Sequence, residues 1–566
     1  MKILGINFSY DSSAALVVDG EVICAVQEER FRRIKHFAGF PTMAIEWCLH
    51  VGGLKPEDLD AVAFFWNPSI HAFTHSWRLS STPRHHLEFL YDVPNHLLPR
   101  LGYAPEVMEE VFYLPGGKKM RFFFVTHHLA HAAGAFFSSP FERSAIITVD
   151  GYGERDCTVI WKARGQKIER VWTKEFPQSL GSYYAAFTQF LGFKPNSGEG
   201  KVMGLASYGG KRYMEEISKM LQVSKDDYAL DLSYFSFYLE RPVRYSEKLV
   251  EVLGPPRIPE SPIEKRHEDI AHSMQSVLET AILMLGRLAK RLTEEENLCM
   301  SGGVTLNCSA NGRLIRSGLF KDYYFQPPSS DAGSALGAAL FVEHCIFGTP
   351  RKRAGLLLDY LGPSFTNDEI KKALERGGLK YFTPSDRAQV VGRLLAQGLV
   401  GSLFQGKAEF GPRALGNRST LADPRPAHMK DYLNAKVKFR EPFRPYAPSV
   451  LVEHAPFYFE GCVSSPFMLG VYPTKKEKLA EAGAVTHVDG GARVQTVSRE
   501  QNPFYYEVIE AFYKETGTPL VLNTSFNIRG EPIVNSPEDA IKCYLTTGMD
   551  FLLIGDFLLI KDPSKL

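Results

Sequence analysis

One pattern, a strand followed by an acidic loop and a β-hairpin, occurs twice in the first 175 residues of this sequence. The acidic loop contains Asp11 in the first copy and begins with Asp150 in the second. The predicted strands are Ile3–Phe8, Ala14–Val18 and Val22–Gln27 in the first copy, and Ala145–Val149, Thr158–Lys162 and Ile168–Lys174 in the second. Either loop alone is typical of a solvated turn. The repetition instead predicts an internally duplicated α/β domain, a kind of fold in which such loops face each other across a nucleotide cleft.

The length of the chain predicts a second large domain. A chain of 566 residues is too long for a single hydrophobic core. The stretch from about Gly348 to Pro384 is polar and interrupted by proline and glycine, as joints between domains usually are. We therefore expect one domain at residues 1–355 and another at residues 356–566.

Charge and cysteine content argue against several classes of protein. The net charge of +1, without a run of Lys or Arg, argues against a nucleic-acid partner. The eight cysteines contain no CxxC pair, which argues against a disulfide framework or a zinc ribbon and favours a reducing compartment. No signal peptide and no apolar run long enough to span a bilayer is visible. We therefore expect a cytoplasmic protein with no membrane partner.

Two histidines at the start of a predicted helix are candidate metal ligands. His127 and His131 are four residues apart, so both rings project from one helix face. The apolar strand at residues 122–125 comes directly before them and places them at the edge of a sheet. Taken alone, such a pair more often belongs to a partly buried helix, in which the histidines serve packing, than to a metal site. A zinc-protease motif is excluded because His128 stands where that motif has its glutamate.

Asp331 is the candidate third ligand. It precedes a predicted helix of small residues, where its carboxylate is free to act as an oxygen donor. Two imidazoles and one carboxylate with open coordination positions are typical of an Fe(II)-type or related divalent metal site. His127, His131 and Asp331 are therefore predicted to bind one divalent ion.

Glycine-rich turns are candidate nucleotide contacts. The predicted strand 298–300 leads into Gly302 and Gly303 and then into a helix, a geometry in which backbone N–H groups can face phosphate or ribose. The stretch 198–206 is also glycine-rich and contains Glu199. Such a segment allows close approach of a ligand but equally forms a simple turn. Neither segment is a Walker A or GxGxxG motif.

Basic residues in the second predicted domain stand beside turns and strand ends. Arginine offers a rigid fork to oxyanions, and lysine offers a point charge. Any one of these residues by itself is more typical of a surface salt bridge. Their concentration in loops instead favours a phosphate or pyrophosphate pocket with neutral donors beside the cations. The candidate residues are Arg413, Arg418, Lys438, Arg444 and Arg493, with Asn523 and Ser525 as neutral donors.

Motifs from one end of the sequence to the other resemble a single family. The most specific are FGPRALG at residues 410–416 and LNTSFN at residues 522–527. Others are QEERF at 27–31, HHLAHA at 127–132, DGYGE at 150–154, KVMGLA at 201–206, DAG at 331–333 and HVDG at 487–490. On these motifs the chain resembles the O-carbamoyltransferases, which include nodulation carbamoyltransferases and antibiotic-tailoring enzymes.

The resemblance implies a fold and a two-step reaction. The fold would be α/β, with a duplicated actin/sugar-kinase-type (Kae1-like) domain followed by an α+β YrdC-like domain. Carbamoyl phosphate and ATP, with Mg²⁺, would give carbamoyl adenylate in the second domain. The carbamoyl group would then move to a hydroxyl of a small-molecule acceptor in the first domain, such as a sugar, an antibiotic or another natural product. The resemblance also allows a homodimer.

The resemblance also implies roles for individual residues. His127, His131 and Asp331 would hold the metal, which is iron in family members, and Asp11 would orient the acceptor hydroxyl. Many relatives have His before this Asp, whereas this chain has Tyr10, which leaves the identity of the general base open. The catalytic candidates are Asp11, His127 and His131. The adenylate would contact Lys35, Asp150, Gly151, Gly153, Glu199, Gly302, Gly303 and Asn307. Carbamoyl phosphate would contact Arg413, Lys438, Arg444, Arg493, Asn523 and Ser525.

Three other functions are compatible with parts of the pattern. Synthesis of threonylcarbamoyl-AMP for tRNA modification uses similar domains, but an enzyme of that pathway would need a basic surface to bind tRNA. A kinase of the same fold would leave the basic pocket of the second domain without a role. A nucleotide-gated binding protein would need neither metal nor turnover. The aromatic residues of the excursion at 66–115 could stack on a sugar or polyketide acceptor; they are Trp66, His71, Phe73, His75, Trp77, Phe89 and Tyr91.

Overall fold

The computed structural model describes residues 1–68, 106–239, 243–351, 356 and 359–566. They form two compact units, one of residues 1–28 and 38–357 and the other of residues 29–37 and 358–566. Within the described part of the chain, no helix is long and apolar enough to cross a membrane. The predicted aromatic acceptor pocket lies, beyond Trp66, outside the described residues.

The first large sheet of the first unit has six strands in the order β3-β2-β1-β4-β6-β5. They are β1 (Lys2–Asn7), β2 (Ser13–Val18), β3 (Glu21–Gln27), β4 (Ala61–Phe64), β5 (Val107–Tyr113) and β6 (Lys119–Val125). The hairpin β2–β3 turns at Asp19 and Gly20, which both have positive φ angles, of 49° and 81°. Two positive φ angles are the signature of the tight turn that matches the twist of a hairpin.

The second large sheet has five strands in the order β13-β12-β7-β8-β9. They are β7 (Arg143–Val149), β8 (Asp156–Arg164), β9 (Lys167–Glu175), β12 (Asn297–Ser301) and β13 (Asp322–Phe325), while β10 (Leu221–Val223) and β11 (Tyr228–Leu230) form a separate pair. In both large sheets an antiparallel three-stranded meander joins two parallel strands at its first strand. The predicted internal duplication is therefore confirmed by strand order and direction.

Two buried helices occupy equivalent places after the last parallel strands. The His127–Ser138 helix follows β6, and the Ala332–Phe341 helix follows β13. The two helices pack together closely because the contact has no side chain at Gly337, where an added Cβ would lie 1.9 Å from the carbonyl oxygen of Ala130. The close packing brings the candidate metal ligands at the two helix starts together.

The first unit contains further helices that pack on the sheets or on one another. They are Thr42–Gly52, Leu180–Phe190, Glu199–Ala206, Met214–Met220, Glu247–Leu253, Lys265–Thr293 and Cys308–Arg316. The glycine-rich stretch 198–206, interpreted from sequence as a loop or turn, is thus mostly helical, and that interpretation is wrong. Burial of Val202 and Leu205 outweighs the low helix propensity of the glycines, since the segment packs on the Lys265–Thr293 helix.

The second unit contains a mixed seven-stranded sheet in the order β19-β16-β20-β15-β14-β21-β22 and a separate pair, β17–β18. The strands are β14 (Gly401–Phe404), β15 (Arg418–Ala422), β16 (Ala447–Leu451), β17 (Val471–Pro473), β18 (Gly491–Arg493), β19 (Gln495–Val497), β20 (Leu520–Ser525), β21 (Phe551–Ile554) and β22 (Phe557–Ile560). The α-helices are Glu29–Arg32, Asn367–Arg376, Arg387–Ala396, Met429–Leu433, Ala455–Tyr458, Pro503–Thr516 and Pro537–Leu545. The Arg387–Ala396 and Pro503–Thr516 helices bury apolar side chains against the sheet and form its core. The predicted α/β fold is confirmed.

Candidate metal centre and anion-binding cluster

Four potential metal ligands meet at the carboxyl ends of strands in the first unit. His127 and His131 begin the helix after β6, Asp150 follows β7, and Asp331 precedes the helix after β13. The parallel strands of each sheet end at the same edge, so side chains that directly follow them converge. One ligand atom from each of the four residues lies within 4.8 Å of the others.

The distances within this cluster would allow the four residues to bind one metal ion. His131 Nε2 lies 3.1 Å from Asp150 Oδ2 and 3.9 Å from Asp331 Oδ1. His127 Nε2 lies 3.5 Å and 3.7 Å from the same two oxygen atoms. Both histidines are buried, and among the described residues neither Nε2 atom has a hydrogen-bond partner of good geometry. Unpartnered buried nitrogen atoms facing two carboxylates fit a divalent cation.

The electrostatics of the cluster also fit a cation. Burial acts to lower the pKa of His131, but the carboxylates of Asp150 and Asp331 outweigh it and raise that pKa to about 9. Burial acts to raise the pKa of Asp150, but His127 and His131 hold it well below the usual range. The two carboxylates thus favour a positive charge at His131. A divalent metal would supply that charge in place of the proton.

Neighbouring groups hold the two carboxylates in place. Asp150 accepts hydrogen bonds from the backbone amides of Gly151 at 2.6 Å and Gly303 at 3.0 Å. Asp331 Oδ2 accepts a hydrogen bond of 2.8 Å from the hydroxyl of Ser9, which follows β1. The side-chain amide of Asn7 donates to the backbone carbonyl of Asp331 at 2.8 Å. Both copies of the duplicated pattern therefore contribute to the site.

His128, between the two ligand candidates in sequence, has a structural role. Its Nδ1 lies 2.9 Å from Thr148 Oγ1, and its Nε2 lies 3.0 Å from the carbonyl oxygen of Asp156. Burial, with the charge of His127, lowers its pKa to about 3. A histidine with both nitrogen atoms paired and a strong preference for the neutral form belongs to the core.

The predicted nucleotide contacts separate into two groups. Asp150, Gly151, Gly302 and Gly303 come together beside the metal ligands, with Gly153 in contact range of His127. Asn307 instead caps the Cys308–Arg316 helix by accepting from the Ala310 amide, and its side chain pairs with that of Gln275. Glu199 accepts a hydrogen bond from the Asn196 amide at 2.7 Å, and Lys35 belongs to the second unit.

The catalytic candidate Asp11 lies in the first acidic loop with a φ angle of 57°. The side chain of Asn7 donates a hydrogen bond to the backbone carbonyl of Asp11.

Four cationic side chains in the second unit repel one another, which lowers the pKa values of several of them. Burial and Arg440 lower the pKa of Arg444 to about 10. Burial, followed by the charges of Arg440, Arg444 and Lys35, lowers the pKa of Lys438 well below its usual range. Arg493 adds to the repulsion at both Arg440 and Arg444. Like charges close together at a buried or partly buried site are costly, and an anion bound among them would offset that cost.

Backbone and side-chain oxygens position Lys438 within this cluster. Its ammonium group donates to Ser525, to the carbonyl oxygen of Asn527 at 2.9 Å and to Asn527 Oδ1 at 2.8 Å. Asn523 lies on β20, the strand that contains Ser525, and its side-chain amide donates to the hydroxyl of Ser449 and to Gln495 Oε1. Its Oδ1 has no hydrogen-bond partner within the described chain. The LNTSFN motif is therefore built around polar groups at the end of β20.

The loop that carries Arg413 is organised by Glu409. One oxygen of this carboxylate, Oε1, accepts from the backbone amides of Leu415 at 2.7 Å, Asn417 at 2.9 Å and Arg418 at 3.2 Å. Arg418, which the sequence analysis placed in the anion pocket, is fully buried over the ring of Phe404. It donates to four backbone carbonyl oxygens, those of Gln405, Asn417, Pro363 and Gly406. Its role is to hold the loops together.

Two members of these clusters are not predicted by the sequence patterns. Asp150 was assigned to the nucleotide alone, although its position after a central strand places it at the same sheet edge as the histidines. Arg440 was not selected, although it lies between Lys438 and Arg444 in a run of alternating basic residues. Its guanidinium donates to Asn434 and stacks 4.4 Å from the ring centre of Tyr446.

Comparison with known proteins places the whole chain in one family. The carbamoyltransferase N-terminus model matches residues 2–340, and the carbamoyltransferase C-terminus model matches residues 392–561. An uncharacterized protein of Synechocystis is 42% identical over 99% of this chain and 96% of its own length. Nodulation protein NolNO of Sinorhizobium fredii is 40% identical over 99% of this chain and 80% of its own.

A relative with a named reaction extends the comparison. The 3'-hydroxymethylcephem-O-carbamoyltransferase of Amycolatopsis lactamdurans is 30% identical over 80% of this chain and 84% of its own length. The candidate metal ligands lie within the span of the N-terminal family model, and the cation cluster at residues 438–493 lies within that of the C-terminal one. The chain therefore belongs to the carbamoyltransferase family, a family of O-carbamoyltransferases.

Proposed function

We propose that the protein is an ATP-dependent O-carbamoyltransferase with two reaction steps. In the first step, carbamoyl phosphate and ATP give carbamoyl adenylate at the cation cluster of the second unit, residues 358–566. In the second step, the carbamoyl group passes to a hydroxyl of a small molecule at residues 1–357. The observation that carries the proposal is the cluster of mutually repelling cations around the buried Lys438 and the partly buried Arg444, because both substrates of the first step are polyanions.

The chemistry of the first step explains why so many cations are needed. A carbamate oxygen must attack the α-phosphorus of ATP, so the P–O bond of carbamoyl phosphate has to be cleaved by water beforehand. Each carbamoyl adenylate is thus accompanied by one phosphate and one pyrophosphate. Arg413, Arg444 and Arg493 are proposed to bind the phosphoryl oxygens, with Lys438, Asn523 and Ser525 holding the carbamoyl end.

The second step needs a polarised electrophile and a base for the acceptor hydroxyl. The acceptor oxygen attacks the carbamoyl carbon, the bond to AMP breaks, and the hydroxyl proton passes to a base. Asp11 is proposed to orient that hydroxyl, since it is held in the loop that Asn7 connects to Asp331. Gly302 and Gly303 are proposed to let the adenylate approach the backbone of their turn closely, beside Asp150, which accepts a hydrogen bond from the Gly303 amide.

His127, His131, Asp150 and Asp331 are proposed to hold a divalent metal, with Fe²⁺ as the expected ion. When bound, such an ion supplies a Lewis acid that polarises a carbonyl or phosphoryl oxygen. The residues themselves orient the ion and keep water from the buried side of the site, because both histidines lie almost wholly inside the protein. The acceptor is proposed to be a sugar, an antibiotic or another natural product. The protein is also predicted to be cytoplasmic and to form a homodimer.

The test is a reaction without acceptor. Purified protein is incubated with ATP, carbamoyl phosphate and Mg²⁺, and the products are analysed for pyrophosphate and for the mass of carbamoyl adenylate. Both should appear with the wild type and with His127→Ala, and both should fall at least about tenfold with Arg493→Gln. Arg499→Gln is the matched control, because its guanidinium pairs with Glu507 and Glu510 outside the cation cluster.

Other outcomes would assign a different function. ADP in place of pyrophosphate would favour a kinase of this fold. Pyrophosphate released only with bicarbonate and threonine would favour the tRNA-modification reaction. Loss of carbamoyl adenylate in His127→Ala as well would contradict the division of labour between the two sites.

A further inference from the structure

A buried hydrogen-bond chain leads from His131 away from the metal centre. His131 Nδ1 lies 2.9 Å from the hydroxyl of Ser301, at the end of β12. That hydroxyl lies 2.6 Å from Oε1 of Gln326, the residue directly after β13. All three side chains are at most 1% exposed. A chain of three buried polar groups with no solvent contact has a defined direction of hydrogen bonding.

The chemistry of the groups sets that direction. An amide oxygen only accepts, so the single hydroxyl proton of Ser301 is donated to Gln326. The oxygen of Ser301 is then the acceptor for His131, which must carry a proton on Nδ1. In the neutral imidazole the lone pair therefore lies on Nε2, the atom that faces Asp150 and Asp331.

Two glycines open the slot in which the Gln326 amide lies. An added Cβ at Gly134 would lie 2.6 Å from Gln326 Nε2, and one at Gly333 would lie 2.9 Å from the same atom. Gly134 is inside the His127–Ser138 helix, where alanine is about 1 kcal/mol more favourable than glycine. Helix stability by itself would favour a side chain there, but the amide of Gln326 leaves no room for one.

We propose that Ser301 and Gln326 are positioning residues that hold His131 in the tautomer required for metal binding. Gly134 and Gly333 make room for them. The inference rests on the metal site of the proposed function and deepens it. His127 differs from His131, because its Nδ1 has no hydrogen-bond partner among the described residues. Ser301 and Gln326 therefore act on the metal site through His131 alone.

The test measures metal affinity directly, with Co²⁺ as a coloured probe and no substrate present. Ser301→Ala and Gln326→Met should each weaken Co²⁺ binding by about 10–100-fold, the usual loss when a partner of a metal-binding histidine is removed. Ser301→Thr keeps the hydroxyl and should retain most of the affinity. Ser144→Ala is the matched control, because Ser144 is an equally buried serine whose hydroxyl donates to the backbone carbonyls of Ala145 and Asn297, away from the metal ligands.

A double-mutant cycle separates positioning from general destabilisation. In a His131→Ala background, Ser301→Ala should have no further effect on Co²⁺ affinity, whereas in a His127→Ala background its effect should persist. Gly134→Ala should also weaken Co²⁺ binding about tenfold or more by displacing Gln326, even where its melting temperature is unchanged or higher.

The outcomes distinguish this inference from the proposed function. Wild-type protein that fails to bind Co²⁺ would overturn the metal site itself. Wild-type protein that binds Co²⁺, together with a Ser301→Ala variant of equal affinity, would overturn only the positioning role. An equal loss from Ser301→Ala in both histidine backgrounds would also overturn it, since the effect would not be exerted through His131.

Discussion

The side chain of Asp150 accepts a hydrogen bond of 3.0 Å from the backbone amide of Gly303, which lies 153 positions further along the chain. The same oxygen atom, Oδ2, lies 3.1 Å from His131 Nε2. One carboxylate therefore joins the glycine turn after β12 to the candidate metal centre. The acidic loop, the glycine pair and the histidine helix are therefore brought together at one site.

Asp150→Asn should separate charge from geometry at this carboxylate. The amide oxygen can still accept from Gly303, but it supplies no negative charge to a cation. We expect Co²⁺ affinity to fall by at least about tenfold, measured by titration. Asp156→Asn is a useful control, because its carboxylate pairs with Arg170 and not with the cluster. Equal affinity in Asp150→Asn and wild type would exclude Asp150 as a ligand.

Gly302→Ala should disrupt the turn beside Asp150. Gly302 has φ 94°, and an added Cβ would lie 2.3 Å from the carbonyl oxygen of Val149 in β7. Both the left-handed backbone and the clash oppose the substitution, so a loss of roughly 2 kcal/mol or more in the free energy of unfolding is expected. Gly151→Ala is the control, because open space surrounds the corresponding position. Chemical denaturation of the two variants side by side measures the difference.

Arg444→Gln should weaken the binding of carbamoyl phosphate and increase the thermal stability of the protein. Burial and the neighbouring Arg440 lower the pKa of Arg444 to about 10, so its charge is opposed in the ligand-free protein. We expect the ligand-free melting temperature to rise and the affinity for carbamoyl phosphate to fall about 10–100-fold, the effect of losing one charged hydrogen bond. Calorimetric titration and thermal unfolding provide the two measurements. A lower melting temperature with unchanged affinity would exclude Arg444 from the anion site.

Asp359→Asn should stabilise the second unit increasingly as pH rises. Burial and the nearby Glu409 raise the pKa of Asp359 well above its usual range. The unfolded chain loses this proton near pH 4, whereas the folded chain retains it to higher pH. The folded state then binds more protons, so the wild type loses stability as pH increases above about 4.

Replacing the carboxyl group with an amide removes that loss. The melting temperature of Asp359→Asn relative to wild type should therefore rise between pH 5 and pH 8, as measured in parallel thermal scans. A difference that stays constant over this range would show that Asp359 is ionised in the folded protein.

Local patterns in the sequence predicted much of this fold and part of the site. The repeated strand, acidic loop and hairpin predicted the duplication, because alternating apolar residues and turn residues act over a few positions. The spacing of His127 and His131 predicted that both rings lie on one helix face. Asp331 was predicted as their partner from its place before a helix, and it lies in the same cluster.

Other features depended on contacts between distant segments. The helix Glu199–Ala206 forms in spite of its glycines, because it buries apolar side chains on another helix. Arg418 is indistinguishable from the other loop arginines in sequence, but it lies beneath its loop and binds carbonyl oxygens. Residues 29–37 belong to the second unit although they follow a strand of the first.

Apart from the Glu199–Ala206 helix, the sequence by itself determined the main strands and helices around the site and the polar residues at their ends, because those properties arise from neighbouring residues. Only the tertiary structure decided that Asp150 faces the histidines and that Ser301 and Gln326 lie behind His131. These relationships follow from the order of strands in a sheet and from the close approach of two helices at Gly337. Strand order and helix approach depend on packing between residues far apart in the chain, which no local pattern of a single sequence specifies.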